Sequence, residues 1–239
     1  MSAQTNTGAV LDRILEARRA EVDHRKRVLP ETALRYGVKA ATPLRNFSLA
    51  LCRDTLNVLA ELKPASPSRG ILRDPFDPAA LAEALELPVL RKDFIFDPWQ
   101  VWETRANDGD SFLLIVSVLE DALLGDLIAL GRELGMEPLV EVHTAQELDR
   151  ALAAGARIVG VNNRNLKTLT VSVEASFELI GGIPDDCIAV SESGLRTHDD
   201  LVKLRAAGFD AFLVGTHLML SPDPAAALSA LLISPPGTP

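Results

Sequence analysis

Lysine and carboxylate side chains recur in this sequence where a short apolar run gives out. Glu61 and Lys63 end the run Asn57–Lys63, Lys92 ends Pro88–Asp93, and Glu141 ends Glu137–Val142. Asn162 and Arg164 close the run that starts at Arg157. Glu192 and Ser193 follow Cys187–Ser191, and Gly215 and Thr216 follow Asp210–Val214. A Lys or Glu inside an apolar segment costs free energy unless it is paired. Grouped together, such residues tune one another. A carboxylate neighbour keeps a lysine charged, and burial favours the neutral form of either group. An acid and a base can then coexist near neutral pH, which is the requirement for proton transfer to and from a substrate.

A second set of residues suits an anion. Ser66-Pro67-Ser68-Arg69-Gly70, Ser193-Gly194 and Gly215-Thr216 are small-residue turns placed directly after apolar runs. Glycine lets backbone approach a ligand closely, and hydroxyl and N–H groups donate to phosphate. Other candidates are weaker. His143 and His198 have no partner at metal-ligand spacing and suit surface or capping positions. Trp99 and Trp102 suit packing on a helix after Lys92. Phe94 or Phe96 could wall an apolar pocket or serve the core. The two cysteines, Cys52 and Cys187, are far apart and are expected as buried thiols of a reducing cytosol.

The elements that must position these residues form a repeating plan. The seven runs are Asn57–Lys63, Pro88–Asp93, Ser111–Leu119, Glu137–Val142, Arg157–Asn162, Cys187–Ser191 and Asp210–Val214. Each precedes a helical pattern, so the chain reads as successive βα units around a parallel sheet. Thr144 and Glu147 mark a helix start at Ala145–Ala154, with Gly155 as its stop. Thr197 and Gly208 do the same for His198–Ala207. In a parallel (β/α) barrel every strand ends on one face, and active sites are built there, with phosphate at the loops after the last two strands. Before the first strand, residues 9–28 form an amphipathic helix with Val10, Ile14, Leu15 and Val22 on one face. Residues 29–56 read as a loop and a short helix near Leu44–Leu51. A single domain is expected: a helical extension to residue 56, a barrel over 57–232 and a flexible tail over 233–239.

Composition narrows the class of function. A net charge of −9 is ill suited to non-specific nucleic-acid binding, which needs a basic face. The apolar stretch from Phe112 to Leu130 is interrupted by Glu120, Asp121 and Asp126, too charged to span a bilayer. The N-terminus lacks the basic and apolar regions of a signal peptide. These features predict a cytoplasmic enzyme with a small-molecule partner and neither nucleic acid nor membrane.

Several motifs, in order, carry a resemblance: ELKPASPSRG, LPVLRKDFIFDPWQV, LVEVHTAQEL, GARIVGVNNRNLKTLTV, VSESGL and FLVGTHLM. Together they resemble the indole-3-glycerol-phosphate synthase family of tryptophan biosynthesis, from about residue 9 to 230. The resemblance implies a TIM-type barrel and a substrate, 1-(2-carboxyphenylamino)-1-deoxyribulose 5-phosphate. That substrate would close a ring, lose CO₂ and lose water. No cofactor or metal is implied, and other enzymes of the pathway are conceivable partners. By motif, Lys92 matches the family's general acid and Glu141 its catalytic carboxylate. Lys63 and Glu61 match the pair that assists dehydration. Asn162, Arg164, Glu192 and Phe94 match substrate-contacting positions. Ser66, Ser193, Gly194, Gly215 and Thr216 match the phosphate loops.

One departure stands out. Between DPFDPAALAEA and ELPVLRKDF the family pattern has a further strand and most of a helix, roughly 30 residues for an average unit of an eight-fold barrel. Here that unit is absent, so seven strands are expected where a closed barrel has eight. The flanking strands must pair directly or leave a gap with two open edges, which favours oligomerisation or strand exchange. Two competing functions follow: a catalytically impaired phosphate-binding subunit, and phosphoribosylanthranilate isomerase, whose reaction needs an acid and a base but no such dense Lys/Glu network.

Overall fold

The computed structural model describes residues 7–63, 65–66, 70–71, 87–165 and 168–233. The helical pattern expected just before Glu86 and the tail beyond Ile233 lie outside the described residues.

The apolar runs form seven parallel strands in one curled sheet. They are β1 (Asn57–Ala60), β4 (Leu90–Arg91), β5 (Ser111–Ile115), β6 (Leu139–Val142), β7 (Ile158–Asn162), β8 (Ile188–Glu192) and β9 (Ala211–Val214), in the order β1-β9-β8-β7-β6-β5-β4. β2 (Ala65–Ser66) and β3 (Gly70–Ile71) pair antiparallel in a separate ladder that the sequence reading had as a turn. β1 pairs with β9, and β4 with β5, and no ladder joins β1 to β4 among the described residues. Among the described residues the sheet is therefore open between β1 and β4, where the missing strand would stand.

The pleat of each strand sorts its residues into two layers. Leu113, Ile115, Leu139, Ile158, Val190, Ala211 and Leu213 point inward and pack with Leu59, Leu90 and Phe94. Phe47 and Leu51 of α3 (Phe47–Leu51) join this inner layer. The amide of Asn57, at the start of β1, donates to Leu51 O, so α3 plugs the N-terminal end of the sheet. The alternate residues, among them Phe112, Leu114, Val140, Val142, Val159, Val161, Phe212 and Val214, face outward onto the helices. Each fully buried aliphatic or phenyl group contributes about 1.5–3 kcal/mol, so both layers stabilise the strands that end at the candidate site.

The outer helices are α4 (Pro98–Ala106), α5 (Asp121–Glu133), α6 (Ala145–Ala153), α7 (Glu174–Leu179), α8 (His198–Ala207), α9 (Thr216–Leu220) and α10 (Pro224–Leu232). The expected caps are present. Thr144 Oγ1 accepts from Glu147 N, Thr197 and Asp200 form a reciprocal capping box, and Gly208 ends α8 in the left-handed region at φ 117°. The Glu147 carboxylate differs from expectation: it accepts from His143 N, one residue before the cap.

Before the sheet, α1 (Thr7–Val28) and α2 (Glu31–Val38) pack on α4 through Val22, Leu34, Trp99 and Trp102. Residues 31–38, expected as loop, are helical. Proline is tolerated at a helix start, and Pro30 occupies the N-cap position of α2. The first 3₁₀ turn, Val116–Val118, likewise shortens the expected strand Ser111–Leu119 to five residues. Cys52 is exposed rather than buried, since it caps the short α3 at its solvent end, and Cys187 is half-buried. Among the described residues no helix is long and apolar enough to cross a membrane.

Candidate active site

The strand pleat that buries Leu139, Ile158, Val190 and Leu213 also turns the next inward positions toward the C-terminal mouth of the sheet. Those positions are Glu141, Gly160, Glu192 and Gly215. Strand register sets Glu141 beside Gly160 and Asn162 beside Glu192. Lys92 lies two residues beyond Leu90, on the same face. Its Nζ is 3.0 Å from Glu192 Oε2 and 3.5 Å from Glu141 Oε2. Asn162 Nδ2 donates to Glu141 Oε1 at 3.0 Å. At the edge of this cluster, Lys63 pairs with Glu61.

Two glycines make room for two of these carboxylates. A Cβ at Gly160 would overlap Glu192 Oε1, and a Cβ at Gly215 would overlap Glu61 Oε2. Neither glycine has a positive φ, so the requirement at both is space. Gly215, expected only as a phosphate-loop residue, thus also seats Glu61.

Burial and charge set the ionisation of the cluster. Burial disfavours the Lys92 ammonium, but Glu192, Glu141 and Glu61 outweigh it and hold this lysine well above its ordinary range. Burial also pushes the Glu141 carboxyl up, but Lys92, His143 and Asn162 bring it below the usual carboxylate range. For Glu192, burial dominates over Lys92, and with Glu141 and Glu61 adding repulsion its carboxyl rises to about 7. Glu192 Oε1 is buried and has no hydrogen-bond partner among the described residues. The site therefore holds a charged lysine between one ionised carboxylate and one that exchanges its proton near neutrality. This is the arrangement an acid–base catalyst needs.

Above the cluster opens a cavity of about 420 Å³. Its lining includes Glu61, Lys63, Lys92, Asn162 and Arg164, together with Ser193, Gly194, Gly215 and Thr216. Ser193 and Gly194 take positive φ values of 68° and 87°, which turn the chain sharply after β8. Arg164 lies half-buried, its guanidinium donating to Leu169 O at 3.2 Å. Glu141 and Glu192 lie beneath the cavity, bonded to Lys92. Phe94 packs on the inner hydrophobic layer, a core position beside Lys92. Ser66 lies in β2, and its side chain falls outside the described residues.

Two neighbours were not picked out in the sequence: Arg196 and His217 line the same cavity, each close to a turn expected to hold phosphate. His143, expected at the surface or as a cap, instead faces the Lys92–Glu141 cluster. Its Nε2 lies 3.3 Å from Glu141 Oε1, and its Nδ1 lies 3.2 Å from Glu147 Oε2. Its place two residues past Glu141 was the available signal, since alternation puts both on one face, but β6 ends at Val142, one residue before it. His198 begins α8 and is 2.9 Å from Leu231 O, which ties α8 to α10. Among the described residues no three His, Cys, Asp or Glu side chains are grouped so as to hold a metal ion.

A family model described as indole-3-glycerol phosphate synthase matches residues 11–87 and 79–231. The chain belongs to the indole-3-glycerol phosphate synthase family. Its synthase relatives include proteins of that name from Laribacter hongkongensis, 40% identical over 93% of this chain and 98% of the relative, and from Rhodococcus jostii, 41% identical over 93% and 94%. The alignment with the Laribacter synthase runs over 258 positions but uses 93% of 239 residues, so about 36 of its positions face no residue here. The two pieces of the family match overlap at residues 79–87, beside the stretch where this sequence is short of the family pattern. Solved structures share the fold alone. The hexulose-6-phosphate synthase of Salmonella typhimurium superposes with a TM-score of 0.56 at 14% identity, over 64% of this chain and 75% of that one. A mandelate oxidase superposes at 0.52 and 16% identity, over 73% and 60%.

Proposed function

We propose that this chain is a working indole-3-glycerol-phosphate synthase. It would convert 1-(2-carboxyphenylamino)-1-deoxyribulose 5-phosphate to indole-3-glycerol phosphate, in the cytoplasm and beside other enzymes of tryptophan biosynthesis. The observation that carries the assignment is Lys92 clasped between Glu141 and Glu192 at the floor of a cavity rimmed by small-residue loops. Membership of the synthase family supports the same reaction.

The residues divide the work by charge. Ser193, Gly194, Gly215 and Thr216 take the phosphate through hydroxyl and N–H groups. Arg164 and Asn162 face the carboxylate and hydroxyl region of the substrate. Lys92 donates to the ketone oxygen as the ring carbon attacks, so developing negative charge meets a fixed ammonium in a site shielded from water. Loss of CO₂ restores the aromatic ring. The new hydroxyl then leaves as water with a proton from Lys63, which pairs with Glu61, and Glu141 removes the ring proton to complete the indole. Glu192, near its titration point, exchanges a proton with Lys92 and readies it for the next cycle.

A second possibility, an impaired subunit that still binds phosphate, is favoured by the open seam between β1 and β4. Assaying the purified chain on the substrate, with indole fluorescence as readout, separates the two. Turnover abolished by Lys92→Ala supports the synthase, whereas a cooperatively melting wild-type protein without turnover rejects it.

A further inference from the structure

We propose that His143 is a positioning residue for Glu141: clamped by Glu147, it holds the Glu141 carboxylate in place and in its ionised form. The proposal rests on Glu141 serving as the base, as set out above.

The geometry begins in α6. Glu147 sits in the first turn of that helix, and its Oε2 accepts from His143 N at 2.7 Å while lying 3.2 Å from His143 Nδ1. One carboxylate oxygen thus fixes both the backbone and the ring of His143. The opposite ring nitrogen, Nε2, is buried 3.3 Å from Glu141 Oε1, near but not aligned as a hydrogen bond. A neutral imidazole carries one N–H. With that hydrogen toward Glu147, its Nε2 lone pair would face the lone pairs of Glu141, a repulsive contact. With both nitrogens protonated, each N–H faces a carboxylate. The pocket therefore selects the imidazolium.

The surrounding charges agree. His143 is faced by Glu141 on β6, Glu147 on α6 and Glu192 on β8, with Arg150 acting on Glu147 and Lys92 across Glu141. Arg150 is itself engaged by Asp121 of α5. Burial lowers the imidazole pKa, but Glu147 and Glu141 more than reverse it, and the ring stays protonated above its ordinary range. The Glu141 side chain is only 3% exposed, and Asn162 supplies a neutral donor. Lys92 is shared with Glu192. His143 is thus a second cation against Glu141, and Glu147, at 17% exposure, connects it toward solvent.

The consequence appears on the acid side of the activity profile. Without the imidazolium the Glu141 carboxyl titrates higher, so the acid limb of kcat should move up by about one pH unit. In His143→Gln, kcat on the acid limb, well below the pH at which the wild-type profile begins to fall, should be up to about tenfold lower with KM nearly unchanged, and raising the pH should restore it, a recovery that a misfolded site would not show. Glu147→Gln should give a smaller shift in the same direction. Independently of turnover, an NMR titration should find the wild-type His143 imidazole above its ordinary value, and lower in Glu147→Gln. An unmoved acid limb in His143→Gln overturns the proposal, as does an imidazole that titrates at or below its ordinary value. If His143→Gln does not fold, the Glu147→Gln profile and the titration decide. Glu141→Gln separates the two levels: full activity there defeats the assignment of Glu141 itself, whereas an inactive Glu141→Gln with an unmoved His143→Gln profile defeats only the role of His143.

Discussion

The interior strands and the two end strands hold their share of the site by different means. In β6 every residue is buried, and in β7 and β8 nearly every one is, with each strand flanked by two partners. Glu141, Asn162 and Glu192 inherit their positions from that packing. β1 and β4 stand at the open seam, each with one partner and only partial burial, and β4 has just two ladder residues. Glu61, Lys63 and Lys92 therefore depend on electrostatics. Asp93, next to Lys92, is held by Arg18 of α1 and by Arg91 at 3.0 Å, and Asp97 by Lys26 of α1. Arg91 also reaches Glu103 of α4 at 2.9 Å. The N-terminal helix thus supports the Lys92 segment on the side where the sheet has lost a neighbour.

The comparison can be broken at its centre first. Lys92→Ala removes the cation shared by Glu141 and Glu192, and kcat in the indole fluorescence assay should fall by about 10³-fold or more. The melting temperature at neutral pH should fall as well, because two buried carboxylates lose their shared cation. If activity survives, the catalytic cluster is misassigned.

Packing provides the next contrast. Leu139→Ala in β6 should cost about 3 kcal/mol in urea unfolding, within the usual range for a buried leucine. Leu90→Ala in the half-buried β4 should cost nearer 1 kcal/mol. Equal losses would mean that the seam is as well packed as the interior. Amide exchange tests the same contrast without mutation: protection should be highest in β6–β8 and lower in β1 and β4.

Glu192 adds a pH dependence of similar size. Its carboxyl titrates at about 7 in the folded protein, above the ordinary value of 4.5. The folded state therefore binds the proton more tightly than the unfolded one. This stabilisation is full below about pH 4.5 and is lost as pH rises through 7. Glu192→Gln should remove a loss of about 3 kcal/mol between those limits, read as a flatter dependence of unfolding free energy on pH. An unchanged slope would place the excess proton elsewhere.

A smaller effect on activity than that of Lys92→Ala is expected at the helix that braces the seam. Arg18→Ala frees Asp93 from α1, and kcat should drop about tenfold, roughly 1.4 kcal/mol, with the interior strands unaffected by amide exchange. A larger fall than that of Lys92→Ala would mean that α1 holds more of the site than its ion pairs to Asp93 and Asp97.

Much of this was legible in the chain itself. Period-two alternation and the Thr144, Thr197 and Gly208 signals determine the strands and helices locally, because pleat and capping depend on near neighbours. The motifs determined the family, and the missing stretch before Leu87 determined a seven-stranded count. Tertiary structure alone decided which carboxylate is ionised, since Glu141 and Glu192 look alike in sequence. Their difference arises from groups far away in the chain: Lys92 between them, Asn162 and His143 around Glu141, and a buried, unpartnered oxygen on Glu192. It also decided the second use of Gly160 and Gly215, whose absent side chains leave space that distant glutamates fill. Local sequence encodes backbone and burial pattern, but the free energy of a buried charge depends on everything within a few ångströms, and only the folded sheet brings those groups together.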